Sequence, residues 1–208
     1  MSTLPKDSRE TSRYHHADLR QTLLDAALAA LDEHGAGGIG LRELARATGV
    51  SAAAPYRHFK SREALLAAVA ALGFERFGEA LIASMRGIPP KYHLAVMGMA
   101  YVDFARTNRA MFQLMFSPEL DKLSHEDLRT ASEAAFAILA RTAGEEYPEK
   151  ARETALGAWA LVHGLAQLTN DGQFPAMGEA ETRALIASIL KRSIEGMRAS
   201  RPPDLVAH

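Results

Sequence analysis

The amino-acid sequence predicts an all-α protein in which a small three-helix domain precedes a larger helical domain. Apolar residues recur at intervals of three and four along most of the 208 residues, whereas strict alternation of apolar and polar residues is scarce. Glycine and proline divide this pattern into segments of helical length, with clear breaks at 87–90, 117–118, 144–148 and 170–175. The sequence therefore predicts helices joined by short loops, and no β-strand.

The first predicted helix extends from about Ala17 to His34. Its apolar residues keep the i, i+3, i+4, i+7 spacing of an amphipathic helix: Leu24, Ala27, Leu28 and Leu31. Gly35 follows directly, and glycine commonly ends a helix because it adopts the left-handed conformation without strain. Residues 1–13 are polar and charged without an apolar core, so we expect a flexible arm and no secretion signal.

Residues 41–60 have the pattern of two short helices joined by a tight turn. Leu41, Leu44 and Ala45 form the apolar side of the first helix, and Gly49 provides the turn. Such a pair of helices is typical of a helix-turn-helix. An ordinary αα-corner without a role in DNA binding is the alternative interpretation.

The second helix of this pair is expected to extend from Ser51, a favourable N-cap, to Phe59. It opens with small side chains, so its leading end is slim enough to enter the major groove of DNA. Pro55 removes one backbone donor inside it. We expect this proline to tighten the first turn without ending the helix.

Further helices are expected after Ser61, which can cap the next one. The apolar spacing and the breaks place them at about 63–86, 91–107, 109–116, 124–143, 149–169 and 180–199. Residues 201–208 contain two adjacent prolines and are expected to form a loose, flexible tail. No run approaches about 20 apolar residues, so a membrane span is not expected.

The succession of short helices between positions 14 and 70 resembles the DNA-binding domain of the TetR family of bacterial repressors. The residues that carry the resemblance are Leu44-Ala45, Gly49-Val50-Ser51, Tyr56-Arg57-His58-Phe59, Lys60 and Glu63-Ala64-Leu65-Leu66. The resemblance implies a helix-turn-helix DNA-binding domain over residues 14–62.

The resemblance also implies which side chains meet DNA. Arg42, at the start of the first helix of the pair, would contact a base or a phosphate. The contacts with the DNA backbone would come from Tyr56, His58 and Lys60. The base edges would be approached by Ser51, Ala52, Ala53 and Arg57.

Residues 158–166, AWALVHGLA, resemble the Trp/His-Gly signature of one C-terminal subgroup of the same family. This resemblance implies a helical ligand-binding and dimerisation domain over residues 63–200. Methionine and aromatic side chains adapt to irregular shapes, and their concentration between Met97 and Phe116 suits a pocket between helices. The candidate effector-binding residues are Met97, Tyr101, Phe104, Met111, Phe112, Met115, Phe116, Trp159 and His163.

Ordinary core packing is the alternative for these residues, and a stacked core histidine is the alternative for His163. A mostly apolar lining predicts a hydrophobic or amphipathic effector rather than a sugar or a nucleotide. The last two helices form the dimer surface in the family, which implies an interface that includes Leu156, Ile186, Ile189, Leu190 and Ile194. One apolar stripe is needed merely to close the domain, and the sequence does not measure any surplus that could face a partner.

Composition and motifs exclude several other classes of protein. The net charge is −1, with an excess of two positive charges in residues 1–62 and of three negative charges in the remainder. The chain has no cysteine, which excludes disulfides and thiolate metal sites. It has no nucleotide-binding, metalloprotease or hydrolase motif, and the adjacent His15 and His16 would diverge on a helix. We therefore expect no catalytic site, no metal and no cofactor.

These features together predict a ligand-responsive transcriptional repressor that binds a palindromic DNA operator as a homodimer. We expect it to be cytoplasmic, and nucleoid-associated when bound to DNA. A TetR-like activator is a close alternative, because only operator position and reporter output separate the two. An all-helical enzyme or carrier with an incidental αα-corner is a more distant one, and it would not require the basic face of Arg42, Arg57 and Lys60.

Overall fold

The computed structural model of the chain describes the backbone of residues 8–174 and 177–199 and the side chains of residues 19–174 and 177–196. Within these ranges the chain is α-helical, with short 3-10 turns and no β-strand. The helices are α1 Ser8–His34, α2 Leu41–Ala47, α3 Arg62–Ser84, α4 His93–Thr107, α5 Arg109–Met115, α6 Glu126–Glu146, α7 Ala151–Asn170 and α8 Glu179–Ala199. Residues 1–7 of the predicted arm, the predicted tail and the side chains of His15 and His16 lie outside the described residues.

The helices from α3 to α8 begin and end within three residues of the predicted positions. The first helix differs, because α1 begins at Ser8 rather than near Ala17. Residues 8–13, which the sequence assigned to the arm, are therefore helical. Arginine and glutamate are good helix formers, so a polar segment can extend a helix although it adds no apolar spacing.

The prediction of a second α-helix after the turn, from Ser51 to Phe59, is wrong. After the turn at Gly49, which has a φ of 70°, the chain forms non-helical turns and then one 3-10 turn over Pro55–Arg57. The amide of Ala54 donates to the carbonyl of Ser51 (2.9 Å), and the amide of His58 donates to that of Pro55 (3.0 Å). Ser51 is not the cap either, because Ala54 precedes the 3-10 turn and no side chain caps it.

Pro55 explains this difference. Proline has no amide hydrogen and its ring presses on the carbonyl four residues earlier, which here belongs to Ser51. The amides of Ala54, Arg57 and His58 donate over three residues, whereas that of Phe59 makes one α-helical bond, to the carbonyl of Pro55 (2.9 Å). Pro55 itself is buried. Proline therefore does more than tighten the first turn: it prevents the α-helix and leaves a single 3-10 turn.

The start of α3 ties the N-terminal elements together. Ser61 caps α3 as predicted, since its hydroxyl accepts from the amide of Ala64 (3.1 Å). The guanidinium of Arg62 donates to the carbonyls of Ile39 (2.7 Å) and Ala36 in the loop between α1 and α2. These bonds hold the first turn of α3 against that loop.

The C-terminal helices pack around α3 and α4. Helix α6 lies against α3, helix α7 contacts both α4 and α6, and α8 packs against α4. A single cluster of buried apolar residues runs from Leu23 in α1 to Ile194 in α8. Helix α3 therefore belongs to both halves of the molecule. None of the described helices is long and apolar enough to cross a membrane.

Candidate functional site

All of the predicted DNA-contacting residues except Arg42 lie in residues 51–60, which we call the reading segment. Its exposed side chains are Ser51, Ala52, Ala53, Tyr56, Arg57 and Lys60. Pro55 and Phe59 are buried and anchor the segment to the domain, while His58 is half-buried. The alternation of buried anchors and exposed groups follows from the tight turns, which give the segment a defined outer face.

Three cations border this face. Arg42 on α2 is exposed, as are Arg57 and Lys60 in the reading segment. None of the three forms an ion pair within the described part of the chain. Unpaired, exposed guanidinium and ammonium groups are the groups that neutralise DNA phosphates.

The C-terminal half contains a cavity of about 340 Å³ between α3, α4, α6 and α7. Four of the predicted effector-binding residues line it: Met97, Tyr101, Phe116 and Trp159. The remainder of the lining is also mostly apolar and includes Phe74, Phe77, Leu94, Phe136, Leu139 and Val162. Its volume and apolar character are typical of a site for a small organic molecule.

The other predicted effector-binding residues do not line the cavity. Met111, Phe112 and Met115 are buried in the core. A Cβ atom added to Gly73 would lie 2.6 Å from the sulfur of Met111, so α3 and α5 are closely packed there. Phe104 packs against Phe77 with the ring centroids 5.1 Å apart and the rings tilted by 60°. Core packing therefore describes these residues better than effector contact.

His163 lies directly behind the cavity wall. The hydroxyl of Tyr101 is 2.9 Å from its Nδ1 atom, and the ring of Phe116 lies 4.6 Å from its ring, centroid to centroid. Burial raises the pKa of Tyr101, so the phenol stays protonated. Burial, and then the nearby charge of Lys122, lowers the pKa of His163. A neutral imidazole that accepts from the Tyr101 hydroxyl fits both shifts.

The sequence analysis missed Lys122, which also lines the cavity. Lys122 lies in the 3-10 turn before α6, and its Nζ atom is 4.8 Å from the ring centroid of Phe74. Burial lowers the pKa of its ammonium group. A loop residue follows no apolar spacing, so the pattern of the sequence could not indicate it.

The predicted dimer residues divide into two groups. Ile186, Leu190 and Ile194 are buried by the chain itself, so their assignment to a dimer surface is corrected: they close α8 onto the domain. Leu190 lies beside Gly98 of α4, where an added Cβ atom would be 3.2 Å from its side chain. Ile189 is half-buried. Leu156 is exposed but borders the cavity.

The exposed surfaces of α7 and α8 combine small, charged and large apolar side chains. On α7 they include Gly157 and Ala160, and on α8 they include Ala180, Ala184 and Ala187. Both helices pack against α4 through their opposite faces. Both exposed surfaces therefore include small residues, and that of α7 also includes the large apolar side chains of Leu156, Trp159 and Leu168.

The start of α6 joins the cavity side of the molecule to the reading segment. His125 contacts Glu63 in the first turn of α3 (Nε2 to Oε1, 3.3 Å). Arg20 of α1 lies 4.0 Å from the carboxylate of Asp127 and stacks over the ring of Phe59. Within the described residues, no group of histidine, aspartate and glutamate side chains is arranged to hold a metal ion.

A reading segment with exposed cations, joined through a shared helix to a second helical domain with an apolar cavity, is typical of two-domain helix-turn-helix regulators. Comparison with known proteins identifies the family. Residues 23–69 match the family model "Bacterial regulatory proteins, tetR family", and residues 94–192 match "Tetracyclin repressor-like, C-terminal domain". The chain belongs to the TetR family and is a DNA-binding transcriptional regulator.

Several solved structures share the fold. A protein of unknown function from Rhodococcus sp. RHA1 is 32% identical, with a TM-score of 0.74 over 86% of this chain and 97% of that one. A tetR-family regulatory protein from Rhodococcus RHA1 is 20% identical, with a TM-score of 0.61 over 85% and 95%. The TetR-family regulator PfmR from Thermus thermophilus is 24% identical, with a TM-score of 0.53 over 84% and 98%.

No curated protein sequence matches the chain significantly. The family models and two of these three structures describe regulatory proteins of the TetR family. The Trp/His-Gly subgroup that the sequence suggested stays a prediction.

Proposed function

We propose that this regulator is a repressor that binds a palindromic operator as a homodimer and is released by a small apolar or amphipathic effector. The observation that carries the proposal is the apolar cavity, which is lined by the same helix, α3, that begins beside the reading segment. Phe74 and Phe77 of α3 line the cavity, and Arg62 at the start of α3 holds the loop between α1 and α2.

DNA binding by the reading segment is supported by its shape and charge. Small side chains at positions 51–53 allow the backbone to approach base edges closely. Arg57 has a guanidinium group that can donate two hydrogen bonds to a guanine, whereas Lys60 is suited to a phosphate. The arrangement favours base reading by Arg57 and residues 51–53. It favours DNA-backbone contacts by Arg42, Tyr56 and Lys60.

Release by an effector follows from the linkage between two binding sites. An effector that binds the DNA-competent shape and a second shape equally well would shift nothing. The reduction in DNA affinity that an effector causes is limited by the difference between its affinities for the two shapes. Helix α3 is the element through which a change of shape at the cavity would reach the reading segment.

Homodimerisation is supported by the exposed surfaces of α7 and α8. Small side chains let helices of two subunits approach closely, and a two-fold interface pairs the same surface of each subunit. Two reading segments would then meet successive major grooves about 34 Å apart, which matches a palindromic operator. This interface replaces the buried stripe of Ile186, Leu190 and Ile194 in the prediction from the sequence.

A TetR-like activator would use the same DNA and effector contacts. The difference lies in the regulated promoter. Deletion of the gene for this protein should raise expression of an adjacent reporter if the protein is a repressor. A fall in expression on deletion would indicate an activator.

The DNA-binding part of the proposal is tested with Arg57→Ala. Footprinting on the intergenic DNA beside the gene first gives the operator, and the affinities for operator and random DNA are then compared. We expect the substitution to reduce the discrimination between the two by about 1–3 kcal/mol, the contribution of one bidentate base contact. Arg86→Ala, in the loop after α3 and away from the reading segment, is the matched control. Unchanged discrimination in Arg57→Ala would contradict the assigned base contact.

A further inference from the structure

Lys122 places a positive charge against a mostly apolar cavity. Its side chain lines the cavity and is half-buried. The Nζ atom lies 4.8 Å from the ring centroid of Phe74 and 5.6 Å from that of Phe116. The aromatic faces stabilise the ammonium group, but they replace only part of the water that burial removes.

The acidic groups near Lys122 are engaged elsewhere. Asp121 accepts from the amide of Leu123 (2.9 Å) and from the hydroxyl of Ser124, and thereby caps the 3-10 turn. Glu133 lines the same cavity, but both of its carboxylate oxygens accept from Arg129 at 3.1 Å. Within the described part of the chain, Lys122 forms no ion pair.

Tyr101 and His163 cannot neutralise the charge of Lys122. Burial raises the pKa of Tyr101 and lowers that of His163, so both are neutral near pH 7. Burial also lowers the pKa of Lys122, which agrees with an ammonium group that lacks a carboxylate partner. The cavity therefore holds one cation that is not compensated and a large apolar surface.

We propose that the effector is a carboxylic acid with an apolar tail, whose carboxylate pairs with Lys122 while its tail fills the cavity between α3, α4, α6 and α7. The inference rests on the proposed function of this cavity as the effector site, and it names the chemical class of the effector. A partly buried ammonium group is stabilised most by an anion that carries an apolar tail, because the tail excludes water from the ion pair. A cationic or strongly polar ligand would meet repulsion or an apolar wall.

Trp159 gives a direct measurement, because it lines the cavity and is the single tryptophan of the chain. Its fluorescence is followed in DNA-free protein during titration with decanoate and with 1-decanol, which have the same chain length and differ in charge. We expect decanoate to bind about tenfold more tightly than 1-decanol in the unsubstituted protein. Lys122→Met should remove this preference by weakening decanoate binding, with 1-decanol binding unchanged.

Two further variants keep the test independent of folding. Lys122→Arg retains the charge and should retain the preference for decanoate. Lys91→Met removes an exposed lysine that lies over the ring of Tyr92 and does not line the cavity, so it should behave as the unsubstituted protein. Equal affinities for decanoate and 1-decanol, no binding of decanoate, or an unchanged preference in Lys122→Met would each overturn the inference.

A separate experiment tests the proposed function of the cavity in DNA release. Displacement of operator DNA by decanoate measures whether occupation of the cavity acts on DNA binding. Selective, Lys122-dependent binding without displacement of DNA would support the carboxylate subsite and contradict its role in release. Displacement of DNA by 1-decanol and decanoate alike, independent of Lys122, would support release and overturn the subsite.

Discussion

Replacement of Lys60 by glutamine is expected to lower the salt dependence of DNA binding. Lys60 is exposed beside the buried Phe59, so its ammonium group is free to reach a phosphate while its backbone is held in place. Each phosphate that a lysine neutralises contributes about 0.9 to the slope of log K against log salt concentration. A dimer carries two copies, so the slope should fall by about 1.8.

This slope converts into a large change in affinity. Between about 0.05 M and about 0.5 M salt, the ratio of unsubstituted to variant affinity should change about 60-fold. Fluorescence anisotropy with labelled operator, measured at several salt concentrations, gives both slopes. Because a phosphate contact carries no sequence information, random DNA should show the same change.

Lys91→Gln is the matched control, since Lys91 is an exposed lysine in the short turn before α4. Its slope should equal that of the unsubstituted protein. Parallel lines for Lys60→Gln and the unsubstituted protein would refute the reasoning, because they would show that Lys60 neutralises no phosphate. A change confined to operator DNA would instead assign Lys60 to base reading.

Two further predictions concern acid stability and assembly. Burial holds the pKa of His163 below that of the unfolded chain, so the unfolded state takes up its proton first as the pH falls. The unsubstituted protein should therefore lose stability below about pH 6.5, and thermal unfolding of His163→Phe should show a smaller loss; equal losses would contradict the shift. Ala187→Glu places a charge on the exposed surface of α8 and should give a monomer by light scattering, whereas Ala137→Glu on α6 should remain a dimer. A dimer in both variants would move the interface elsewhere.

The helices could be predicted because their apolar spacing is set by local geometry. Breaks such as Gly87 to Pro90 and the Ser61 cap are also local, and the structure places both as expected. The region around Pro55 was misjudged, although its cause is equally local. The predicted helix has only nine residues. So short a helix has few backbone hydrogen bonds, and the remaining ones do not offset the bond that a proline removes.

The sites depended on contacts between distant segments, which apolar spacing does not encode. The stripe of Ile186, Leu190 and Ile194 is apolar because α4 covers it, and a sequence does not state which surface covers a stripe. Met111, Phe112 and Met115 are core residues rather than cavity residues because α5 packs closely against α3, and the sequence does not state that contact either. Lys122 reaches the cavity from a loop, and loops position side chains without a period.

The length of α3 has a mechanical consequence. Its 23 residues form a rod about 35 Å long, with Arg62 at one end and the cavity-lining Phe77 about 22 Å away. A tilt of only about 5° about the cavity would displace the Arg62 end by about 2 Å, given that rise per residue. In a dimer the two displacements add or cancel according to the two-fold axis. An effector that tilts α3 by this small angle would therefore change the separation of the two reading segments by up to about 4 Å where the two displacements add.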